Sequence, residues 1–192
     1  MRKFLKGLFW FMSIIIYRIK IKGKENIPEE GAALICPNHV HGLDSVLVVV
    51  HAKRKINVLA KEELFENKAL NWLGKVFGAY PVKQNSADLS AIKTSLKLLK
   101  NKELLLIYPE GTRNGMAKGA PVKNGPMTIA IKAGVPIIPV GIKGSFKVFS
   151  KIRVNIGKPM YFNEYKDKVN DKEVVSKLTE DLMKEIVRLR DM

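Results

Sequence analysis

The chain has 192 residues, enough for one domain with a full core and little to spare for a second. Hydrophobic residues make up 46% of it, which excludes both a disordered chain and one built wholly within a membrane. Lysine and arginine outnumber aspartate and glutamate by 34 to 18, and the net charge of +16 points to an anionic partner: nucleic acid, phospholipid headgroups or a phosphorylated metabolite.

The chain opens on the basic stretch from Met1 to Lys6, and Leu8 to Tyr17 is almost wholly apolar. This resembles the first two regions of a signal peptide. No small-residue cleavage site follows; Arg18, Lys20, Lys22 and Lys24 come next. The apolar run is well short of the ~20 residues of a spanning helix. With Phe4, Leu8, Phe9, Trp10 and Phe11 set between cations, residues 1–24 read as a helix lying in the membrane interface. The alternative is a core helix packed on its own domain. Residues 25–192 then form the body.

Lys24 to Gly31, with Pro28, is the connector. Ala32 to Cys36 is a buried strand ended by Pro37. Cys36 is the one cysteine, so no internal disulfide forms, which fits a reducing compartment. It reads as a small core residue rather than a nucleophile. Ser45 to Val50 is a short helix after Asp44, a favourable N-cap. Asn57 to Ala60 is a second strand, and Asn67 to Lys75 a helix ending before Gly78. Trp72, Leu73 and Phe77 read as core in preference to lipid-facing. Ala87 to Lys100 is an amphipathic helix with Leu89, Ile92, Leu96 and Leu99 on one face. Leu104 to Tyr108 is a third buried strand, stopped by Pro109. Met127 to Ala133 is a helix closed by Gly134, and Ile137 to Val140 a further strand. Ile152 to Ile156 alternates and reads as half-exposed. In the tail helix, Asp171 and Glu173 lie in the first turn and Arg188 and Arg190 in the last, which suits the helix dipole. Strands alternating with helices predict a single α/β domain with a mixed, largely parallel sheet flanked by helices, plus the N-terminal interfacial helix. Active sites in such sheets gather at the carboxyl ends of the strands.

Two strings stand there. Asn38-His39-Val40-His41-Gly42-Leu43-Asp44 offers an imidazole and a carboxylate. Imidazole is the usual general base near neutral pH, and a carboxylate fixes its tautomer and stabilises its cation. Five helical steps would leave the two about 140° apart. His39 must therefore lie on a loop, with Gly42 giving it freedom. His41 competes for the role, and H-x-H with a downstream Asp is also a zinc pattern, although His51 is the only further histidine. The second string is Tyr108-Pro109-Glu110-Gly111-Thr112-Arg113. Gly111 permits a tight turn, Arg113 presents a fork suited to phosphate, and Glu110 either holds that guanidinium or binds a substrate hydroxyl.

Taken together, the strings resemble the lysophosphatidic acid acyltransferase family, the 1-acylglycerol-3-phosphate O-acyltransferases. The family's four blocks occur in order over Leu34 to Val140. N-H-x4-D matches Asn38, His39 and Asp44; F-P-E-G-T-R matches Tyr108 to Arg113 with Tyr for Phe; V-P-I-I-P-V matches Val135 to Val140. The second block, G-A-F-P-V-x-R, is Gly78-Ala79-Tyr80-Pro81-Val82-Lys83-Gln84, so Gln84 replaces the Arg and Lys83 stands beside it. The resemblance implies that residues 25–192 are an acyltransferase domain. His39 would take the proton from the sn-2 hydroxyl of lysophosphatidic acid, and Asp44 would orient it. The oxygen would attack the thioester of acyl-CoA or acyl-acyl carrier protein. Glu110, Gly111, Thr112, Arg113 and Lys83 would bind the substrate phosphate, with Gly111 and its neighbours candidates for an oxyanion hole. No cofactor and no metal are implied beyond the thioester co-substrate. Anionic membrane lipids are the expected partners, and the cytoplasmic face of the cell membrane the expected location, peripheral or monotopic. Within the class, the alternative acceptors are glycerol 3-phosphate or another lysolipid. The rival of another class, a basic nucleic-acid-binding domain, explains only the charge, with no zinc knuckle, aromatic RNA-binding signature or helix-turn-helix pattern.

Overall fold

The computed structural model describes residues 2–82 and 89–192, with Met116 described by its backbone alone. Lys83, Gln84 and the expected helix start at Ala87 lie outside the described residues. The elements in chain order are α1 (Arg2–Ile16), β1 (Arg18–Lys22), β2 (Ala33–Pro37), α2 (Asp44–His51), β3 (Ile56–Lys61), α3 (Lys68–Phe77), β4 (Ala79–Val82), α4 (Leu89–Lys100), β5 (Leu104–Leu106), α5 (Gly125–Ala133), β6 (Ile137–Gly144), β7 (Lys151–Ile156) and α6 (Lys172–Asp191).

The seven strands form one sheet in the order β1-β7-β6-β2-β5-β3-β4. β2 to β6 run parallel, β7 is antiparallel to β6, and β1 is parallel to β7. The central strands are apolar throughout because helices cover both faces. Ala33, Leu34, Ile35 and Cys36 are all fully buried. Alternate residues serve opposite layers. Ala33 and Ile35 join Leu47, Val48 and Val49 of α2. Leu34 and Cys36 join Leu98, Met127, Ile131 and Leu182 from α4, α5 and α6. β6 begins within the V-P-I-I-P-V block, and its Ile137, Ile138 and Val140 are fully buried. Helix α6 lies directly on β6. A Cβ added at Gly141 would stand 2.1 Å from the Arg190 backbone nitrogen, so only glycine allows the approach.

Several local expectations change. Arg18, Lys20 and Lys22 are not simply a cationic flank of the N-terminal helix. They form the exposed side of β1, whose Ile19 and Ile21 turn inward. β4, unanticipated, closes the other edge of the sheet. Ile152 to Ile156 is mostly buried, since Asn155 donates to the Leu189 carbonyl under α6 at 2.7 Å. Asp171 caps α6 from outside the helix, accepting from the Glu173 and Val174 backbone N–H. Trp72 is not core: α3 buries no residue, and Leu70 and Trp72 are each 48% exposed.

α1 packs one side only. Phe9 meets Phe77 edge-on at 5.3 Å, Ser13 is buried, and Lys6 donates to the Ala52 carbonyl. Phe9 therefore points inward, away from the face assigned to it with Phe4, Leu8, Trp10 and Phe11. Those four stay 43–75% exposed, as do Met12, Ile14 and Ile15 at 44–54%. Among the described residues, no helix is long and apolar enough to cross a membrane.

Candidate active site

β2 and β5 end side by side, and each releases one of the two strings. Asn38 leaves β2 buried and replaces a missing ladder partner. Its side chain donates to the Ile142 carbonyl at 2.9 Å and accepts from the Ile142 N–H at 2.6 Å. This fixes the loop root, and His39 follows.

His39 Nδ1 lies 2.9 Å from Asp44 Oδ2. A carboxylate only accepts, so Nδ1 carries the proton and the neutral ring keeps its lone pair on Nε2. Asp44 is fully buried. The same Oδ2 accepts from the backbone N–H of Val40 at 2.7 Å and of His41 at 2.8 Å. Asp44 thus opens α2 instead of capping it; Leu43 is the N-cap. Its carboxylate turns back into the loop, and that backward turn pairs it with His39. Gly42, expected to free the loop, has no left-handed φ, so the pairing needs no special backbone there.

The second string clasps His39 from the other side. Glu110 is buried, and its Oε1 accepts from the His39 N–H at 2.8 Å. The Asn114 N–H donates to the His39 carbonyl at 2.6 Å. Tyr108 stacks on the imidazole, centroids 3.9 Å apart and planes at 17°. Burial foremost, then the Asp44 charge, pushes the Tyr108 phenol above its usual range, so it stays neutral. The phosphate role expected of Glu110 does not fit this placement. A buried carboxylate turned to the His39 amide would repel a phosphate. The Gly111 N–H donates to the Tyr108 carbonyl at 3.1 Å, which commits it to the turn and not to an oxyanion.

Thr112 and Arg113 are exposed, and Arg113 forms no ion pair among the described residues. Lys123 is a cation that the sequence does not reveal. Its stem crosses Gly111, which has φ 63°: a Cβ there would meet Lys123 Cε at 2.7 Å and Cδ at 2.8 Å. The Lys123 backbone N–H donates to the Pro109 carbonyl at 2.9 Å, which ties residue 123 back to the start of this turn. Lys83 lies outside the described residues.

The other candidates separate from the site. His41 stacks on Phe146 at 4.4 Å, and its Nδ1 accepts from the Leu43 N–H at 3.3 Å. His51 is at the far end of α2. Among the described residues, no three His, Cys, Asp or Glu side chains are grouped to hold a metal. Burial drives the Cys36 thiol far above its ordinary range, so it carries no thiolate. The arrangement suits proton abstraction at His39 Nε2 from a hydroxyl.

The family model described as Acyltransferase matches residues 18–143, starting at the first residue of β1. The 1-acyl-sn-glycerol-3-phosphate acyltransferase of Bacillus subtilis (strain 168) is 32% identical over 180 residues, 90% of this chain and 88% of that one. The Homo sapiens 1-acyl-sn-glycerol-3-phosphate acyltransferase beta is 30% identical over 149 residues, 73% of this chain and 52% of that one. The crystal structure of the 1-acyl-sn-glycerophosphate acyltransferase PlsC from Thermotoga maritima matches with a TM-score of 0.67 and 25% identity, over 95% of this chain and 81% of that chain.

Proposed function

This chain belongs to the acyltransferase family, and we propose that it moves a fatty acyl group from acyl-CoA or acyl-acyl carrier protein to the sn-2 hydroxyl of 1-acylglycerol 3-phosphate, giving phosphatidic acid. The observation that carries this reading is the His39–Asp44 pair, held between two strand ends, with Arg113, which forms no ion pair among the described residues, on the turn that clasps it.

His39 Nε2 takes the hydroxyl proton as the oxygen attacks the thioester carbonyl. Asp44 accepts from Nδ1–H throughout and stabilises the imidazolium that forms. The carbon–sulfur bond breaks, and the sulfur leaves as a thiolate of pKa ~8.5 that needs little acid help. The imidazolium proton then returns to the thiolate or to solvent. No acyl-enzyme forms. Glu110 acts through His39, holding its backbone so that the ring stays seated on Tyr108. Arg113 and Lys123 receive the acceptor phosphate, and Lys83 is a third cation on the strength of the family's second block alone. The phosphate contact positions the hydroxyl, which converts binding into rate. Thr112 is exposed on the same turn and adds a hydroxyl donor.

The acceptor is a lipid, and the exposed apolar face of α1 supports docking on the cytoplasmic face of the cell membrane. Phe4, Leu8, Trp10 and Phe11 would enter the interface of an anionic bilayer, with Arg2, Lys3 and the β1 cations near the headgroups.

The test is acyl transfer by the purified chain to a lysophosphatidic acid and to the matched monoacylglycerol, with product masses recorded. The phosphorylated acceptor should be favoured about 100-fold in kcat/KM, as for one or two charge-assisted contacts. Equal use of both would remove the phosphate from the account. Preference for glycerol 3-phosphate would change the acceptor but keep the chemistry.

A further inference from the structure

We infer that the β6–β7 loop, residues 145–150, is a second bilayer-entering element, with Val148 and Phe149 inserting beside α1. This rests on the proposed docking of the enzyme on an anionic membrane. It adds a contact on the catalytic side of the sheet.

Val148 is 65% and Phe149 69% exposed. Two adjacent large apolar side chains at a loop tip are a poor arrangement for water. They also do not stand alone. The Phe149 N–H donates to the Ile16 carbonyl at 2.7 Å, and the Arg18 N–H to the Ser150 carbonyl at 2.9 Å. The loop is thereby fastened to the end of α1. Ile14 and Ile15 there are 46% and 54% exposed, so the apolar surface continues from helix to loop. Phe149 adopts φ 61°, a left-handed backbone that glycine or asparagine accepts more readily. A phenylalanine held in that conformation with its ring outside the core is a local cost that burial of the ring within the chain does not offset.

The charge around the tip selects the partner. Lys147 and Lys151 are exposed beside it, and exposed Arg18 stands opposite Lys151 across the β1–β7 ladder. No aspartate or glutamate occurs between Glu110 and Glu164. The nearest acid on a packed element, Asp191 of α6, is already paired with Lys143 at 3.0 Å, and an apolar tip flanked by Lys147, Lys151 and Arg18 is complementary to an anionic bilayer. A second copy of this chain is a poor occupant, since each copy carries +16.

The loop is also joined to the site. Phe146 meets Tyr17 at 5.9 Å and stacks on His41 at 4.4 Å. His41 in turn belongs to the loop that Asp44 organises. Insertion of Val148 and Phe149 would hold the mouth of the site at headgroup depth, where the acceptor hydroxyl lies.

The full chain carrying Val148→Cys, labelled with an environment-sensitive fluorophore, tests this. Cys36 is fully buried and does not compete for the label. Vesicles of phosphatidylglycerol and phosphatidylcholine should blue-shift the emission, and brominated acyl chains should quench it. The same label on Lys100→Cys, at the opposite end of the sheet, should do neither. Phe149→Gly provides a variant that suits the left-handed backbone and so keeps the fold. It should bind the vesicles about tenfold more weakly, with an unchanged or higher Tm. Suppose Phe11→Asp weakens vesicle binding while the Val148 label stays unshifted and Phe149→Gly binds like wild type. The loop inference is then overturned and docking through α1 stands. If Phe11→Asp and Phe149→Gly both bind like wild type, docking itself fails and takes the loop with it. A label shift that follows protein concentration without vesicles would assign the tip to a second copy and overturn the inference.

Discussion

His39 lies on the loop that leads into the short helix α2 and His51 is the last residue of that helix, and each offers Nδ1 to an oxygen at 2.9 Å. The oxygens differ. His39 meets the carboxylate of Asp44, and His51 meets the backbone carbonyl of Leu47. The second nitrogens differ as well. His51 Nε2 is buried and has no hydrogen-bond partner among the described residues, while the His39 side chain remains 17% exposed. Burial above all, with help from Lys24 and Lys6, holds the His51 imidazole below its usual range against the pull of the Leu47 carbonyl. A seated imidazole is therefore not yet a base for catalysis. It also needs a charge that stabilises its cation and a nitrogen that a substrate can reach.

Replacing the carboxylate attacks that difference at its root. Asp44→Asn should lower kcat about 10³-fold, because an amide can donate to Nδ1, favours the wrong tautomer and brings no negative charge. Steady-state rates on a variant with wild-type circular dichroism measure this. A loss under about tenfold would mean that the Leu47 type of partner suffices. Arg113→Ala removes the anion end instead. It should raise KM for lysophosphatidic acid about 10–100-fold and leave monoacylglycerol kinetics nearly unmoved. A like loss on both acceptors would make Arg113 a structural residue.

Smaller effects sharpen the contrast. His41→Ala should change kcat by less than about threefold, since that ring packs on Phe146 and its Nδ1 only accepts from Leu43. A larger loss would transfer the base role to it. His51→Gln should leave activity at neutral pH in place and alter the pH dependence of stability. At His51 the folded chain binds fewer protons than the unfolded chain. Stability is therefore complete above the ordinary imidazole value of 6.5 and falls as pH drops through it. Thermal unfolding between pH 7 and 5 should show a shallower fall in Tm for His51→Gln than for wild type. Equal slopes would show that the ring gains its proton without cost.

The parallel core was legible because β2, β5 and β6 are continuous apolar runs, buried on both faces. The two edges were not. β1 alternates cation and isoleucine, and its cations read equally well as the flank of a membrane helix. β4 carries Pro81, which removes a ladder donor and marks an edge position only after the sheet is known. His39 and Asp44 were legible as a pair from residue type and family blocks, while the backward turn of the Asp44 carboxylate was not. Glu110 was misjudged because its partner is a backbone amide from the neighbouring strand end, and side-chain chemistry alone gives no sign of that. Lys123 was missed for a related reason: its stem fills the space where Gly111 lacks a Cβ. α1 was read as an interfacial helix with Phe9 among its membrane-facing residues, but Phe9 packs inward on Phe77.

The central claim is that the His39 Nε2 lone pair takes the proton of a lysophosphatidic acid hydroxyl. Single-turnover acyl transfer, enzyme in excess over radiolabelled acyl-CoA, reads the chemical step without product release. His39→Ala should slow that step by 10²–10⁴-fold or more, the range of a positioned general base, with Tm and lysophosphatidic acid binding close to wild type and no acyl-protein trapped. A folded His39→Ala enzyme that completes the turnover at the wild-type rate would contradict the account.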